Sequence, residues 1–205
     1  MAVCCACENR FYDAGDGKYS FLYTDYVDVD VKGGIIHGIV TDDGTSLNIP
    51  QGKRLDIEPK DTMLRWLLYY NKRNANTPIE IVGNTPVRIL HPYTAEEVKT
   101  IKTDAVKVTS VWQSANGKYL NLRLGLMTGN ATSPDQKQQL FLVRTACHSI
   151  NKGKATYTLY HDQHDVPQYY TQEYFFSMPY PIEQDTVEVH IQTYSGEFIE
   201  QYIRQ

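Results

Sequence analysis

The chain has 205 residues, 41% apolar and 21% charged, which suits one large folded domain or two small ones and counts against disorder. A formal net charge of −4 counts against a general nucleic-acid binder, because phosphate contact wants surplus Lys and Arg. No apolar run approaches the ~20 residues of a membrane-spanning helix. The longest, "MLRWLLYY" at 63–70, is far too short and carries Arg65.

The amino terminus reads "MAVCCACENRFYDAGDGKYS" and holds three of the four cysteines. Cys4, Cys5 and Cys7 are poorly spaced for zinc, and adjacent cysteines rarely pair. Small residues, then Cys, then a polar stretch resemble the end of a bacterial lipoprotein signal and its tether. Ala6 before Cys7 is the small residue that cleavage needs. Cys7 is the expected lipid-bearing residue, with Cys5 second, and residues 1–18 are the expected signal remnant and tether. The charged start and apolar core of a signal peptide are missing, the pattern of a chain truncated at its start. The alternative is a frayed terminus with accidental cysteines. Cys147, in "LFLVRTAC", is then alone and expected to be a small buried hydrophobe.

Alternation of apolar and polar residues dominates the rest. "YSFLYTDYVDVDV" puts Tyr19, Phe21, Tyr23, Val27, Val29 and Val31 on one face of a long strand, which Gly33-Gly34 ends or bulges. "IIHGIVTDDGTSLNIP" predicts two strands about a turn at Asp43-Gly44. "MLRWLLYYNKR" predicts a buried strand around Trp66, and "TPIEIVGNTPVRILHP" one or two more, broken at Gly83-Asn84. Such a set over residues 19–93 permits a small closed barrel of the oligonucleotide/oligosaccharide-binding (OB) shape. Thr94 and Glu97 match a capping box, so a helical turn and the domain boundary are placed there.

Residues 94–205 predict an antiparallel β-sandwich. Val106, Val108 and Trp112 alternate, Asn116-Gly117 turns the chain, and Leu120, Leu122, Leu124 and Leu126 alternate back. "QLFLVRTA", "ATYTLYHD", "YYTQEYFFSM" and "DTVEVHIQTY" follow. In the last, Val187, Val189 and Ile191 face inward, leaving Glu188, His190 and Gln192 outward.

Three segments, "TDDGTSLNIP", "VKVTSVW…GKYLNLRL" and "YHDQHDVPQYYTQEYFFSMP", together resemble the NigD-like family of bacterial lipoproteins over residues 19 to 194. The resemblance implies an all-β chain, an OB-like barrel followed by a β-sandwich, and a place in the cell envelope as an outer-membrane lipoprotein. The family is named for a gene beside a bacteriocin determinant, which implies a role in immunity or export. It supplies no catalytic residue and no cofactor.

The densest chemistry is "LYHDQHDVPQYY", with His161, Asp162, His164 and Asp165. A catalytic zinc site wants a third protein ligand, and His37, His91, His148 and His190 give no spacing signature. Either a metal or acid/base site forms here, or a polar hairpin corner in which Asp side chains cap backbone N–H groups. No nucleophile-elbow or phosphate-loop pattern is present, and Asp42-Asp43 and Glu96-Glu97 fit a turn and a helix start. Residues 51–90 are basic, and Arg65, Trp66, Tyr69 and Tyr70 are a candidate ligand-binding surface; Trp66 also fits a core position. The expected function is a non-enzymatic, lipid-anchored envelope protein that binds a partner protein. A carbohydrate-binding module is the second reading and a metal-dependent enzyme at His161, His164 and Asp165 the third. No cofactor and no nucleic-acid partner are expected.

Overall fold

The computed structural model describes residues 21–204, apart from residues 75, 131, 132, 134 and 148–152. The described residues form three sheets and no helix. β1 (Leu22–Lys32), β2 (Ile35–Thr41), β3 (Thr62–Asn71) and β4 (Glu80–Pro86) make an antiparallel sheet in the order β2-β1-β3-β4. β5 (Arg88–Ile89), β7 (Lys107–Gln113), β8 (Tyr119–Thr128) and β11 (Tyr170–Pro179) make a second, ordered β5-β11-β8-β7. β6 (Tyr93–Thr94), β9 (Gln139–Cys147), β10 (Lys154–Asp162), β12 (Thr186–Thr193) and β13 (Gly196–Ile203) make the third, ordered β13-β12-β10-β9-β6.

The period-two pattern explains the first sheet. Val27 lies opposite Trp66 and Val29 opposite Leu64, so β1 and β3 present one apolar face. The expected closed barrel does not form, and β2 and β4 remain the two edges of an open sheet. The reason lies in residues 42–61. The Asp43-Gly44 turn is made, with Gly44 at φ 87°, but only two isolated bridges to β2, Val40 with Ser46 and Ile35 with Arg54, follow it. Pro50, Gly52 and Pro59 interrupt what would be the returning strand, since proline cannot donate to a ladder. The chain instead drapes Leu47, Ile49, Leu55 and Ile57 over the apolar face as a cover. Similarly, β4 runs through Gly83-Asn84, and the break falls at Val87.

The sandwich core comes from β8, whose Leu120, Leu122, Leu124 and Leu126 meet Tyr157 and Leu159 of β10 and Val187, Val189 and Ile191 of β12. Burying each aliphatic side chain contributes about 1.5–3 kcal/mol relative to exposure. Three pairings are parallel: β10 with β12, β5 with β11 and β6 with β9. The sandwich is therefore mixed where an antiparallel one was expected. Trp112 does not share a face with Val108, because a register shift between Val108 and Ser110 turns it over. It packs with Tyr26, Leu67, Val87, Tyr69 and Phe175 between the first and second sheets.

No helix starts at Thr94. Half of the capping box is nevertheless built: Glu97 accepts from the Thr94 N–H at 2.7 Å and from its hydroxyl at 2.9 Å. The box closes a turn after β6. Cys147 is exposed rather than buried; it ends β9, and the Gln184 amide lies 3.4 Å from its sulfur.

On the outer face of the third sheet, His190 stands between two carboxylates, 3.0 Å from Glu197 and 3.1 Å from Glu188. Glu188 also accepts from Lys154 and from Gln201, both at 2.6 Å. Hydrogen bonds from Lys154, His190 and Gln201 pull the Glu188 carboxyl down to about 2. Burial opposes charge on His190, but Glu188 and Glu197 outweigh it and raise its pKa above 6.5. A raised histidine stabilises the fold below its unfolded pKa and loses that contribution as pH rises through the folded value. A depressed carboxylate stabilises above its unfolded value and loses that as pH falls through about 2. His190→Ala is therefore expected to lower the melting temperature more at pH 5.5 than at pH 9. Equal losses at both, or a His190 titration by NMR at an ordinary histidine pKa, would contradict this.

Candidate functional site

The strand β10 ends in His161 and Asp162, and the chain then turns through residues 163–169 before β11. His161 is 1% exposed. Its Nδ1–H donates to the Asp104 carbonyl at 2.9 Å, and Nε2 lies 3.3 Å from Gln138 Oε1. Its backbone exchanges hydrogen bonds with the segment before β7: the His161 N–H reaches the Lys102 carbonyl at 2.9 Å, and the Asp104 N–H reaches the His161 carbonyl at 3.0 Å. The next residues hold the turn. Asp162 accepts from Lys102 at 2.7 Å and from the His164 N–H at 3.0 Å. Gln163 donates its N–H to Asp104 Oδ2 at 2.7 Å, and its side-chain amide reaches the Met127 and Val166 carbonyls, both at 2.9 Å.

This network lets His164 and Asp165 take φ values of 46° and 57°, a left-handed region that a non-glycine residue enters only when its surroundings fix it. What the turn displays is aromatic. Tyr169 is 78% exposed and Tyr170 54%. Tyr169 is anchored by its N–H to the Thr128 carbonyl at 2.9 Å, and it lies over Gly129 so closely that a Cβ there would sit 2.7 Å from its ring. Tyr194, 58% exposed, tops the neighbouring β12–β13 turn. Between these loops lies a cleft of ≈ 680 Å³ with Val106, Val108, Met127, Thr171 and Phe198 in its wall. A second, polar cleft of ≈ 770 Å³ opens beside Lys102, Asp104, His164 and Asp165.

The polar groups of this turn are largely engaged with one another. Lys102 holds the Asp162 carboxyl below the usual carboxylate range, so Asp162 is a charged, already engaged acceptor. Asp104 takes the Gln163 N–H, and His161 has a partner at each nitrogen. His164 is exposed, with Nδ1 3.7 Å from Asp162. Among the described residues no group of three His, Cys, Asp or Glu side chains could hold a metal ion.

The other candidate surface is placed differently from its sequence reading. Trp66 is 7% and Tyr70 3% exposed, both within the first core, and Tyr69 packs between the sheets. The Arg65 side chain is fully buried. It donates to Asp28 at 2.9 Å, to both Asp42 oxygens at 2.7 and 2.9 Å, to Asn121 at 3.0 Å and to Ser177 at 2.8 Å. Its guanidinium also lies 3.8 Å from the centre of the Tyr119 ring. Arg65 therefore fastens the first sheet to β8 and β11. Asp42, expected to serve only its turn, is half of this fastening, whereas Asp43 takes the turn role by accepting the Thr45 N–H at 2.8 Å. Cys4, Cys5, Cys7 and His148 lie outside the described residues.

Residues 88–200, more than half of the chain, match the NigD-like C-terminal β-sandwich domain. The chain belongs to the NigD-like family. Its solved structural neighbours include a NigD-like immunity protein from Bacteroides caccae, at 20% identity over 89% of this chain and 97% of that one, with a TM-score of 0.70. A protein of unknown function from Bacteroides vulgatus follows, at 21% identity over 89% of each chain and a TM-score of 0.67. A candidate lipoprotein from Bacteroides fragilis matches at 12% identity over 90% of this chain and 98% of that one, with a TM-score of 0.61. At these identities the likeness shows a shared fold. A comparison with curated proteins finds no match. Among NigD-like features, the sandwich that carries the family match also carries the tyrosine-bearing loop end.

Proposed function

We propose that this NigD-like chain is a non-enzymatic envelope protein, held on a membrane by lipid at Cys7, that binds a partner protein through the loop end of its sandwich. One observation carries the reading: Tyr169, Tyr170 and Tyr194 stand 78%, 54% and 58% exposed, Tyr169 and Tyr170 after the turn that the His161–Asp104–Gln163 network holds and Tyr194 on a turn closed by Thr193. Tyrosine gives a large contact area at the entropic cost of two side-chain torsions, which is why sandwich loops used for binding are rich in it. The names of the neighbours, an immunity protein and a candidate lipoprotein, support an envelope location and a protective role. The expected partner is another envelope protein, with no nucleic acid and no cofactor.

The test is site-specific photo-crosslinking on native cells. A photoreactive amino acid at Tyr169 or Tyr194 is expected to capture one discrete protein, and the same label at His37, on the first sheet, is not. Changing Tyr169 and Tyr194 to Ser should reduce capture from position 170 about tenfold or more, as anchor residues do. Equal labelling from all positions would refute the proposal.

A glycan is the second reading. Tyr23 stacks on Tyr70 with ring centres 5.7 Å apart, beside a polar cavity of ≈ 390 Å³ lined also by Asp25, Asp43 and Arg73. An exposed ring flanked by hydrogen-bonding groups suits a sugar face, and a glycan array separates this reading from the first.

A further inference from the structure

Among the described residues, the long flank of the sandwich between β11 and β9 is open, and we propose that it receives an extended, acidic segment of a partner protein as an added strand beside β11. The proposal is independent of the tyrosine-bearing loops.

Its basis is the direction of the β11 backbone. Within a strand the N–H and C=O of one residue point to the same side, and successive residues alternate. The Leu90 N–H donates to the Ser177 carbonyl at 2.9 Å, so Ser177 faces β5. Two, four and six residues earlier, Phe175, Glu173 and Thr171 face that same side. β5 covers β11 only at Phe176 and Ser177. The chain before Arg88 has already left for the first sheet, where β4 pairs with β3. Among the described residues, no other strand pairs with this edge. Natural edges of this kind are usually blocked by proline, by a bulge or by a covering loop. The sequence "TQEYF" at 171–175 contains no proline, and its pairing with β8 is continuous.

A groove of ≈ 620 Å³ runs along this edge, floored by Leu126, Leu140, Tyr174 and Phe176. It continues into a further ≈ 410 Å³ that shares Arg88, Gln138 and Leu140 with it. An apolar floor beside an unpaired edge fits a chain whose alternate side chains are apolar, the usual pattern of strand addition. The charge sets the rest. Arg88 and Lys137 line the groove, and neither has a carboxylate within ion-pair distance among the described residues. The acid on this flank, Glu173, is already held by Arg123. Two uncommitted cations on a chain of net charge −4 favour carboxylates on the added strand.

The test begins with the free protein. The Glu173 and Phe175 amides should exchange with solvent much faster than those of Gln172 and Tyr174, which face β8. Next, a random dodecapeptide library is selected on the immobilised full chain. Enriched peptides are expected to alternate apolar residues with Asp or Glu. Binding one of them should slow exchange at Glu173 and Phe175. Glu173→Pro removes an N–H that serves no internal ladder and should weaken the peptide about tenfold or more. Should that variant fail to fold, the exposed pair Arg88→Glu with Lys137→Glu, which leaves the backbone alone, should weaken it by a similar factor. Tyr194→Ser, on a turn that does not line the groove, should leave the affinity unchanged, which separates this groove from the loop end. Protected Glu173 and Phe175 amides in the free protein, no enriched peptide, enriched peptides lacking acids, or affinities unaffected by the variants would each overturn the proposal.

Discussion

Replacing Arg65 by Met is expected to destabilise the protein by about 3–5 kcal/mol, the usual consequence of breaking a buried pair from one side. For a chain of this size that is a fall of about 6–20 °C in the melting midpoint. Methionine fills much of the same volume, so the loss is electrostatic. Asp28 and Asp42, whose side chains are 13% and 17% exposed, would keep their charge and lose its partner. Asn121 and Ser177 would each lose a donor as well. Arg65→Lys keeps the charge but cannot fork between two carboxylates, so an intermediate loss is expected. Adding Asp28→Asn and Asp42→Asn to the Met variant should recover much of the deficit, because the unpaired charge is the cost. A Met variant within 1 kcal/mol of the parent, or one the two Asn changes do not help, would show that the fastening lies elsewhere. Amide exchange locates the effect: strands β1 and β3 should open before β8 and β11.

The same variant should respond to acid in a defined direction. Burial raises the Asp42 carboxyl above its ordinary pKa, and Arg65 only partly offsets it. A raised folded pKa means that the contribution is present below the unfolded value and is lost as pH rises through the folded one. Removing Arg65 removes the offset and pushes Asp42 higher still. The deficit of Arg65→Met against the parent should therefore shrink between pH 7 and pH 4.

The parts of this fold legible in the sequence are those with a local period. Val27, Val29 and Val31, the four leucines from Leu120 to Leu126, and Val187 to Ile191 alternate strictly, and each set faces a core. What escaped was set by distant partners. Arg65 meets Asp42 across 23 residues and Ser177 across 112, and no spacing rule joins them. The one local hint was a charged residue within an otherwise apolar run. Closure of a barrel depended on whether residues 47–57 would pair as a continuous strand, and Pro50, Gly52 and Pro59 left them isolated contacts with β2 and a place as cover over the sheet. β13 was missed because Glu197, Ile199, Gln201 and Ile203 form an outer face too mixed to show alternation. At the histidine loop the sequence offered the right residues and two roles; the partners that engage His161, Asp104 and Gln138, lie 57 and 23 residues away, beyond any local pattern.

His161→Leu tests the structural role of this histidine. Leucine matches the packing of a side chain 1% exposed, but it leaves the part-buried Asp104 carbonyl without its donor. A fully buried orphaned acceptor costs about 1–3 kcal/mol, and one that water can partly reach costs toward the lower end, about 1 kcal/mol. The damage should be greater at the loop end than the global figure suggests, because Asp104 also holds Gln163, and Gln163 ties Met127 to Val166 under Tyr169. Exchange at residues 163–169 should accelerate, and crosslinking from Tyr169 should fall with it. His161→Asn is the informative partner, since its amide nitrogen sits near the place of Nδ1 and can donate to the same carbonyl. It should restore most of the stability and the crosslink. A metal role predicts the opposite pattern: zinc would raise the melting temperature of the parent according to its occupancy, and Asn would not rescue. A zinc-dependent rise that disappears in both His161→Asn and His164→Ala would replace the structural account of this loop with a metal site.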